Sequence, residues 1–313
     1  MTSTQKRRRS SLNGATITAR ICSGLGNQLF QYACGLHISQ MHSRVLGVDT
    51  SWFDHFQVHK QRRSYQLSML GLPGTSDEFT KGAARWFLGL AGAKKPVLRR
   101  IFQSGLRPLG LYFINEPGLF AKCQELYRPL PAGHVILNGY WQTFDHAEAV
   151  RGLMRRTIFS TWKFSTEAAA WRERIRSTKS VFVHVRRGDY KKFGVPLLSA
   201  DYYRRASVEI QAAMPDAHFY IFSEDMDWAS ENLRDLQPLH FVRFESQHRD
   251  IEDLLLMAEC AGGIMANSSF SWWGAALGCE LPRPIICPRF WWGRAESDYP
   301  DLCFPGWTPL DLT

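Results

Sequence analysis

Apolar and polar residues alternate over Thr16–Ile21, the period-two mark of a strand. Ser23-Gly-Leu-Gly26 follows as a turn, and from Asn27 the period changes. Leu29, Phe30, Ala33, Leu36, Ile38 and Met41 recur at three- and four-residue spacing, which predicts an amphipathic helix. Val45–Val48 reads as a second short strand ending at Asp49. Strand, glycine turn, helix and strand together open a doubly wound α/β domain.

The second half repeats the alternation more regularly. Strands are predicted at Val181–Val185, His218–Phe222, Leu239–Phe244, Gly263–Ala266 and Pro284–Cys287. Between them lie helices at Asp201–Met214, Met226–Leu236, Asp250–Cys260 and Ser269–Leu277. Short β-rich runs alternating with helices imply a parallel sheet covered on both faces. A Ser-, Thr- and Arg-rich stretch at 165–178 reads as the break between the halves. The expected organisation is a flexible basic tail at 1–15, an N-terminal α/β domain at 16–165 and a C-terminal Rossmann-like domain at 170–313.

Residues 75–110 differ from both halves. Trp86, Phe87, Leu88, Leu90, Val97, Leu98, Ile101 and Phe102 are interspersed with Lys94, Lys95, Arg99, Arg100 and Arg107. A basic helical insertion of this kind lies either on an anionic membrane surface or, apolar face inward, on its own domain. Composition changes the picture little: 313 residues, 45% hydrophobic and 21% charged, are those of a globular protein with a proper core. Of the net charge of +9, four positive charges belong to Lys6, Arg7, Arg8 and Arg9 in the tail. The mild excess left on the body suits an anionic small substrate or a membrane surface and does not demand nucleic acid. Seven cysteines, odd in number and without C-x-x-C, argue against a disulfide framework or zinc site and for a reducing compartment. No apolar run reaches the ~18 residues of a membrane span, and the basic start lacks a signal peptide's apolar core. A cytoplasmic protein is expected.

Three segments put polar residues where open α/β sheets bind ligands, beyond strand C-termini. After Val181–Val185 come Arg186, Arg187, Gly188 and Asp189; arginine's planar fork matches phosphate oxygens, although a strand end with a local ion pair to Asp189 has the same composition. Asn267-Ser-Ser269 joins a strand to a helix, which makes either an ordinary N-cap or a phosphate site at a helix N-terminus. Gly24-Leu-Gly26 resembles a dinucleotide fingerprint but lacks its third glycine. Asp225-Met-Asp227 spells D-x-D, a metal-binding pattern of some glycosyltransferases, but without neighbouring oxygen ligands it reads as helix capping.

Taken together, Gly24-Leu-Gly-Asn-Gln-Leu-Phe-Gln-Tyr-Ala33, Gly139-Tyr-Trp-Gln142, His184-Val-Arg-Arg-Gly-Asp-Tyr190, Phe222-Ser-Glu-Asp225, Asp253-Leu-Leu-Leu-Met257 and Asn267-Ser-Ser-Phe-Ser-Trp-Trp-Gly274 resemble the α1,2-fucosyltransferases of glycosyltransferase family 11. The motifs run in the family's order from about residue 16 to the end. The resemblance implies a GT-B-like fold, two Rossmann-like domains facing a cleft, and inverting transfer of fucose from GDP-fucose to the 2-hydroxyl of a galactose-containing acceptor. It implies no metal or other cofactor. It assigns the donor diphosphate to Arg186, with Ser268 and Ser269 and the adjoining Asn267 also on the phosphate side, the guanosine to His184 and Asp253, a place near the reacting sugar to Asn27, and the border of the acceptor to Gly139–Gln142. Asp189 is the first candidate for general base, or else the ion-pair partner of Arg186 or Arg187. Ser23 stands where the family commonly has another glycine. The rival readings are an α1,6-type fucosyltransferase and a non-catalytic nucleotide- or nucleic-acid-binding module.

Overall fold

The computed structural model describes residues 15–55, 63–75, 96–118, 121–279, 283–291 and 302–312. The tail and much of the 75–110 segment, including Trp86, Lys94 and Lys95, lie outside the described residues. Two parallel sheets organise the chain. In the first, β1 (Thr16–Arg20) pairs with β2 (Val45–Asp49) and β4 (His134–Asn138), and β4 with β3 (Leu111–Asn115), giving the order β2-β1-β4-β3. In the second, β5 (Ser180–Val185), β6 (His218–Ser223), β7 (Leu239–Phe241), β8 (Gly262–Ile264), β9 (Ile285–Pro288) and β10 (Thr308–Leu310) take the order β10-β9-β8-β5-β6-β7. All six residues of β5 are buried, as a central parallel strand covered on both faces requires.

The second sheet changes winding direction once, between β5 and β8; in the first the chain steps from β1 to β2, crosses to β3 at the far edge and returns to β4 beside β1. Crevices open at the C-terminal ends of strands at such switch points. The segments emerging there are Ser23–Asn27 after β1, Gly139–Gln142 after β4, Arg186–Asp189 after β5 and Asn267–Ser269 after β8.

Besides a single helical turn at Trp52–His55, the helices among the described residues are α1 (Leu25–Met41), α2 (Pro96–Leu106), α3 (Phe144–Thr161), α4 (Thr166–Arg176), α5 (Gly188–Phe193), α6 (Ala200–Ala213), α7 (Met226–Asn232), α8 (Arg249–Glu259) and α9 (Ser269–Ala276). The stretch at 165–178, read as the break between the halves, holds α4. Ser165 caps it by accepting from the Ala168 amide (3.3 Å), and Ala168 and Ile175 turn inward. Ser165 also binds Glu252 of α8 through its amide (2.6 Å) and hydroxyl (2.9 Å). The interval between the halves is thus packed structure. The cores of the two sheets are also continuous, since one apolar cluster includes Ala19, Phe30 and Met154 together with Phe182, Leu254, Trp272 and Trp273. Its centre is Phe30 of α1, 4.5 Å from the Trp272 ring and 5.2 Å from the Trp273 ring of α9.

Candidate active-site cleft

The two sheets face one cleft of about 980 Å³, lined from the first half by Ser23, Asn27 and Tyr140 and from the second by His184, Arg186, Asp253, Ser268 and Ser269. Helices α1 and α9 meet there end to end. A Cβ added to Gly26 would lie 2.4 Å from the Ser269 carbonyl carbon and 2.5 Å from the Phe270 nitrogen. The second glycine of Gly24-Leu-Gly26 thus serves helix–helix approach. Ser268 is the N-cap of α9, its hydroxyl accepting from the Phe270 amide (3.3 Å), so the helix's positive end faces the cleft.

The two arginines after β5 part company. Arg186 lines the cleft, 3.6 Å from Glu224. Arg187 lies 4.1 Å above the Trp228 ring and 3.4 Å from Asp225. The turn between them is held by Glu224, whose carboxylate accepts from the amides of Arg187 (2.9 Å) and Gly188 (2.8 Å). His184 is buried beside the Phe270 ring, and burial with the Arg186 charge lowers its pKa to about 3, so the imidazole is neutral. Its Nδ1 has no hydrogen-bond partner among the described residues. Asp253 receives Arg249 Nε at 2.9 Å on both oxygens, and Arg249 is itself locked onto the carbonyls of Phe244 (2.6 Å) and Val242 (2.8 Å). Burial raises the Asp253 pKa to about 7, with Arg249 drawing it down.

On the opposite wall, Ser23 has φ +68°, the left-handed region that glycine occupies freely. Its hydroxyl accepts from Asn27 Nδ2 (3.0 Å), while Asn27 Oδ1 accepts from Gln142 (2.6 Å). Buried Gln28 ties Ser23 to the 64–66 segment, donating to the carbonyls of Ser23 (3.0 Å) and Ser64 (2.9 Å). Buried Gln31 joins Cys22 to the Gly139 carbonyl (3.2 Å). Gln28 and Gln31 of the glycine-turn motif are thus interior braces.

Six of the eight candidate residues line this one cleft: Asn27, His184, Arg186, Asp253, Ser268 and Ser269. Asn267 does not. Its Nδ2 ties loops together through the carbonyls of Pro196 (3.0 Å) and Trp291 (2.9 Å), while its buried Oδ1 has no hydrogen-bond partner among the described residues. The side chain of Asp189 lies outside the described residues, although its backbone starts α5. Asp225 of the D-x-D sequence caps α7 through the Trp228 amide (3.3 Å) and pairs with Lys191 (2.8 Å). Among the described residues no cluster of three or more His, Cys, Asp or Glu is arranged to hold a metal ion.

Sequence reasoning missed Glu224, Arg249 and Glu116. Glu224 sits inside a quoted motif, which was the available signal, whereas Tyr140 belongs to Gly139–Gln142, the segment expected beside the acceptor, and lines the cleft. Glu116 follows β3 in no motif; its carboxylate accepts from the amides of Tyr140 (2.8 Å) and Trp141 (2.9 Å). Burial raises its pKa, while those N–H groups pull it down.

Two parallel sheets facing a cleft at the C-terminal ends of their strands define the GT-B architecture. Solved structures agree on this fold. A fucosyltransferase NodZ from Bradyrhizobium superposes with TM-score 0.51 at 15% identity, covering 85% of this chain and 94% of that one. A mutant of Arabidopsis thaliana FUT1 in complex with GDP gives TM-score 0.54 at 12% identity, covering 92% and 74%. The family model described as glycosyl transferase family 11 matches residues 123–287. The chain belongs to that family. Among its relatives are an alpha-1,2-colitosyltransferase of Escherichia coli, 27% identical over 94% of this chain and 99% of its own length, and the O-antigen biosynthesis glycosyltransferase WbnK of Escherichia coli, 26% identical over 93% and 99%. The galactoside 2-alpha-L-fucosyltransferase SEC1 of Bos taurus is 27% identical over 49% of this chain and 45% of its own.

Proposed function

We propose that this protein transfers fucose from GDP-fucose to the 2-hydroxyl of a galactose-containing acceptor, inverting the anomeric centre and using no metal ion. The observation that carries this reading is the meeting, in one cleft, of Arg186, the N-terminus of α9 and Asp253. Arg186 and the α9 amides take the diphosphate. Asp253 accepts the N–H groups of guanine, and the orphaned Nδ1 of His184 meets the nucleoside.

The acceptor hydroxyl attacks the anomeric carbon as that carbon's bond to the β-phosphate oxygen breaks, and GDP leaves with the electron pair. Negative charge grows on the β-phosphate, so groups aimed there stabilise the transition state more than the ground state. Asp189, which follows the two arginines in the chain, takes the acceptor proton in this reading. The names of two relatives, an alpha-1,2-colitosyltransferase and a galactoside 2-alpha-L-fucosyltransferase, support a 1,2 linkage and leave the transferred sugar as the point to test. Incubation in EDTA with GDP-fucose or the corresponding colitose donor, against a panel of galactosides, should release GDP with the fucosyl donor and give a 1,2-linked product by NMR. Turnover only after Mn²⁺ addition, or a 1,6 linkage, would contradict the reading.

Helix α2 favours a second contact, with an anionic bilayer. Val97 and Ile101, one turn apart, are 70% and 63% exposed, Leu109 just beyond is 71% exposed, and Arg100 and Arg107 flank them in solvent. Apolar residues bordered by cations suit an anionic lipid surface. Among the described residues no helix is long and apolar enough to cross a membrane, so this contact is peripheral.

A further inference from the structure

Both oxygens of Glu116 are occupied by backbone amides, one from Tyr140 and one from Trp141. The carboxylate therefore clamps the backbone of that turn. The turn that it holds would not hold itself. Trp141 has φ +55°, a conformation disfavoured for a bulky side chain, yet it is 2% exposed and packed in the cluster of Ile17, Ile114 and Leu137. Gly139 is fitted to the same clamp: a Cβ there would stand 2.4 Å from Cβ of Glu116. The residues on either side of the buried Trp141 are the ones that face the cleft side. Tyr140 lines it, and Gln142 donates to Asn27 (2.6 Å), which lines it as well.

Apart from Arg63, the first half contributes uncharged residues to the cleft, and the second half brings the charged ones, Arg186, Arg243 and Arg249 with Glu224, Glu245, Asp250 and Asp253. An aromatic ring beside amide and hydroxyl groups suits a neutral pyranose, whose C–H face stacks on the ring while its hydroxyls meet Asn27 and Ser23.

We propose that Glu116 is a positioning residue for the acceptor sugar: by clamping the left-handed turn at Trp141 it sets Tyr140 and, through Gln142, Asn27 as one wall of a pyranose subsite. This rests on the transferase reading above and adds to it the residue that sets the acceptor-side segment Gly139–Gln142 in place.

The test compares wild type, Glu116→Gln, Tyr140→Ala and the double variant. Three quantities are measured: acceptor KM and kcat, galactoside binding to GDP-loaded protein by NMR titration, and GDP affinity by calorimetry. Glu116→Gln turns one accepting oxygen into an NH₂ group facing an amide N–H. Acceptor binding should therefore weaken by about 10- to 100-fold, with kcat changing less and GDP affinity within about twofold of wild type. Glu116→Asp, which keeps the charge, should recover part of the loss. The double variant should bind acceptor no worse than Tyr140→Ala alone, because both remove the same wall.

An unchanged acceptor KM in Glu116→Gln overturns the proposal. So does equal loss of acceptor and GDP binding, which marks a general folding role. If Glu116→Gln fails to fold, Tyr140→Ala decides, and undiminished acceptor binding there overturns the subsite. A wild type that transfers nothing removes the functional reading, and the galactoside titration still settles the role of Glu116.

Discussion

Gly26 and Ser23 lie three residues apart and answer to different demands. Ser23 takes the left-handed backbone itself, and Gly26 yields its side-chain space to the Ser269–Phe270 backbone. Gly26→Ala should push α1 from α9, cost about 1–3 kcal/mol of unfolding free energy, and weaken GDP binding as the α9 N-terminus shifts; urea unfolding and calorimetry check both. At Asp253 the native pKa of about 7 lies above the ordinary aspartate value of about 3.9. Between those values the folded protein holds a proton that the unfolded chain has released. Stability therefore falls as pH rises from about 4 to about 7, by up to about 1.4 kcal/mol per unit, and levels off above. Asp253→Asn cannot titrate and should lack this slope in urea titrations at pH 5, 6 and 7; equal slopes would contradict the burial argument. Arg186 and Ser268 were legible as site residues because strand ends and helix starts advertise them. Glu224 and Glu116 were harder to read, because each binds amides 24 to 37 positions away and leaves no local spacing in the sequence.

At the scale of elements, β5 to β9 were legible because parallel strands buried on both faces read as short apolar runs between helices. Helix α4 was not, because Arg172, Arg174 and Arg176 mask the inward positions Ala168 and Ile175, while its cap was taken for loop composition. In the first half β3 and β4 were missed. Their rim is polar: Arg20, Asn138, Asn115 and Gln103 form a hydrogen-bonded row that joins the sheet to α2. Gln103 faces that row, which leaves Ile101 and Val97 outward. Ile101→Asp combined with Leu109→Asp should abolish sedimentation with phosphatidylglycerol vesicles without lowering Tm, and neutral vesicles should not bind wild type. Equal sedimentation of variant and wild type would remove the membrane contact.

The whole molecule is tied together through Phe30, Trp272 and Trp273, which the sequence displays in two motifs but whose contact depends on how the two sheets approach. A shared core predicts one cooperative thermal transition. Trp272→Ala should lower stability by about 3–5 kcal/mol and leave that transition single, whereas two separated transitions would show independent halves. The same joining brings Arg186 and the α9 N-terminus into one cleft, and the account turns on their common ligand being a diphosphate. Calorimetric titration of GDP in EDTA tests this most directly. Wild type should bind, and Arg186→Ala should lose about 10- to 100-fold in affinity. GDP binding that needs an added divalent cation, or an Arg186→Ala protein that binds GDP as tightly as wild type, would contradict it.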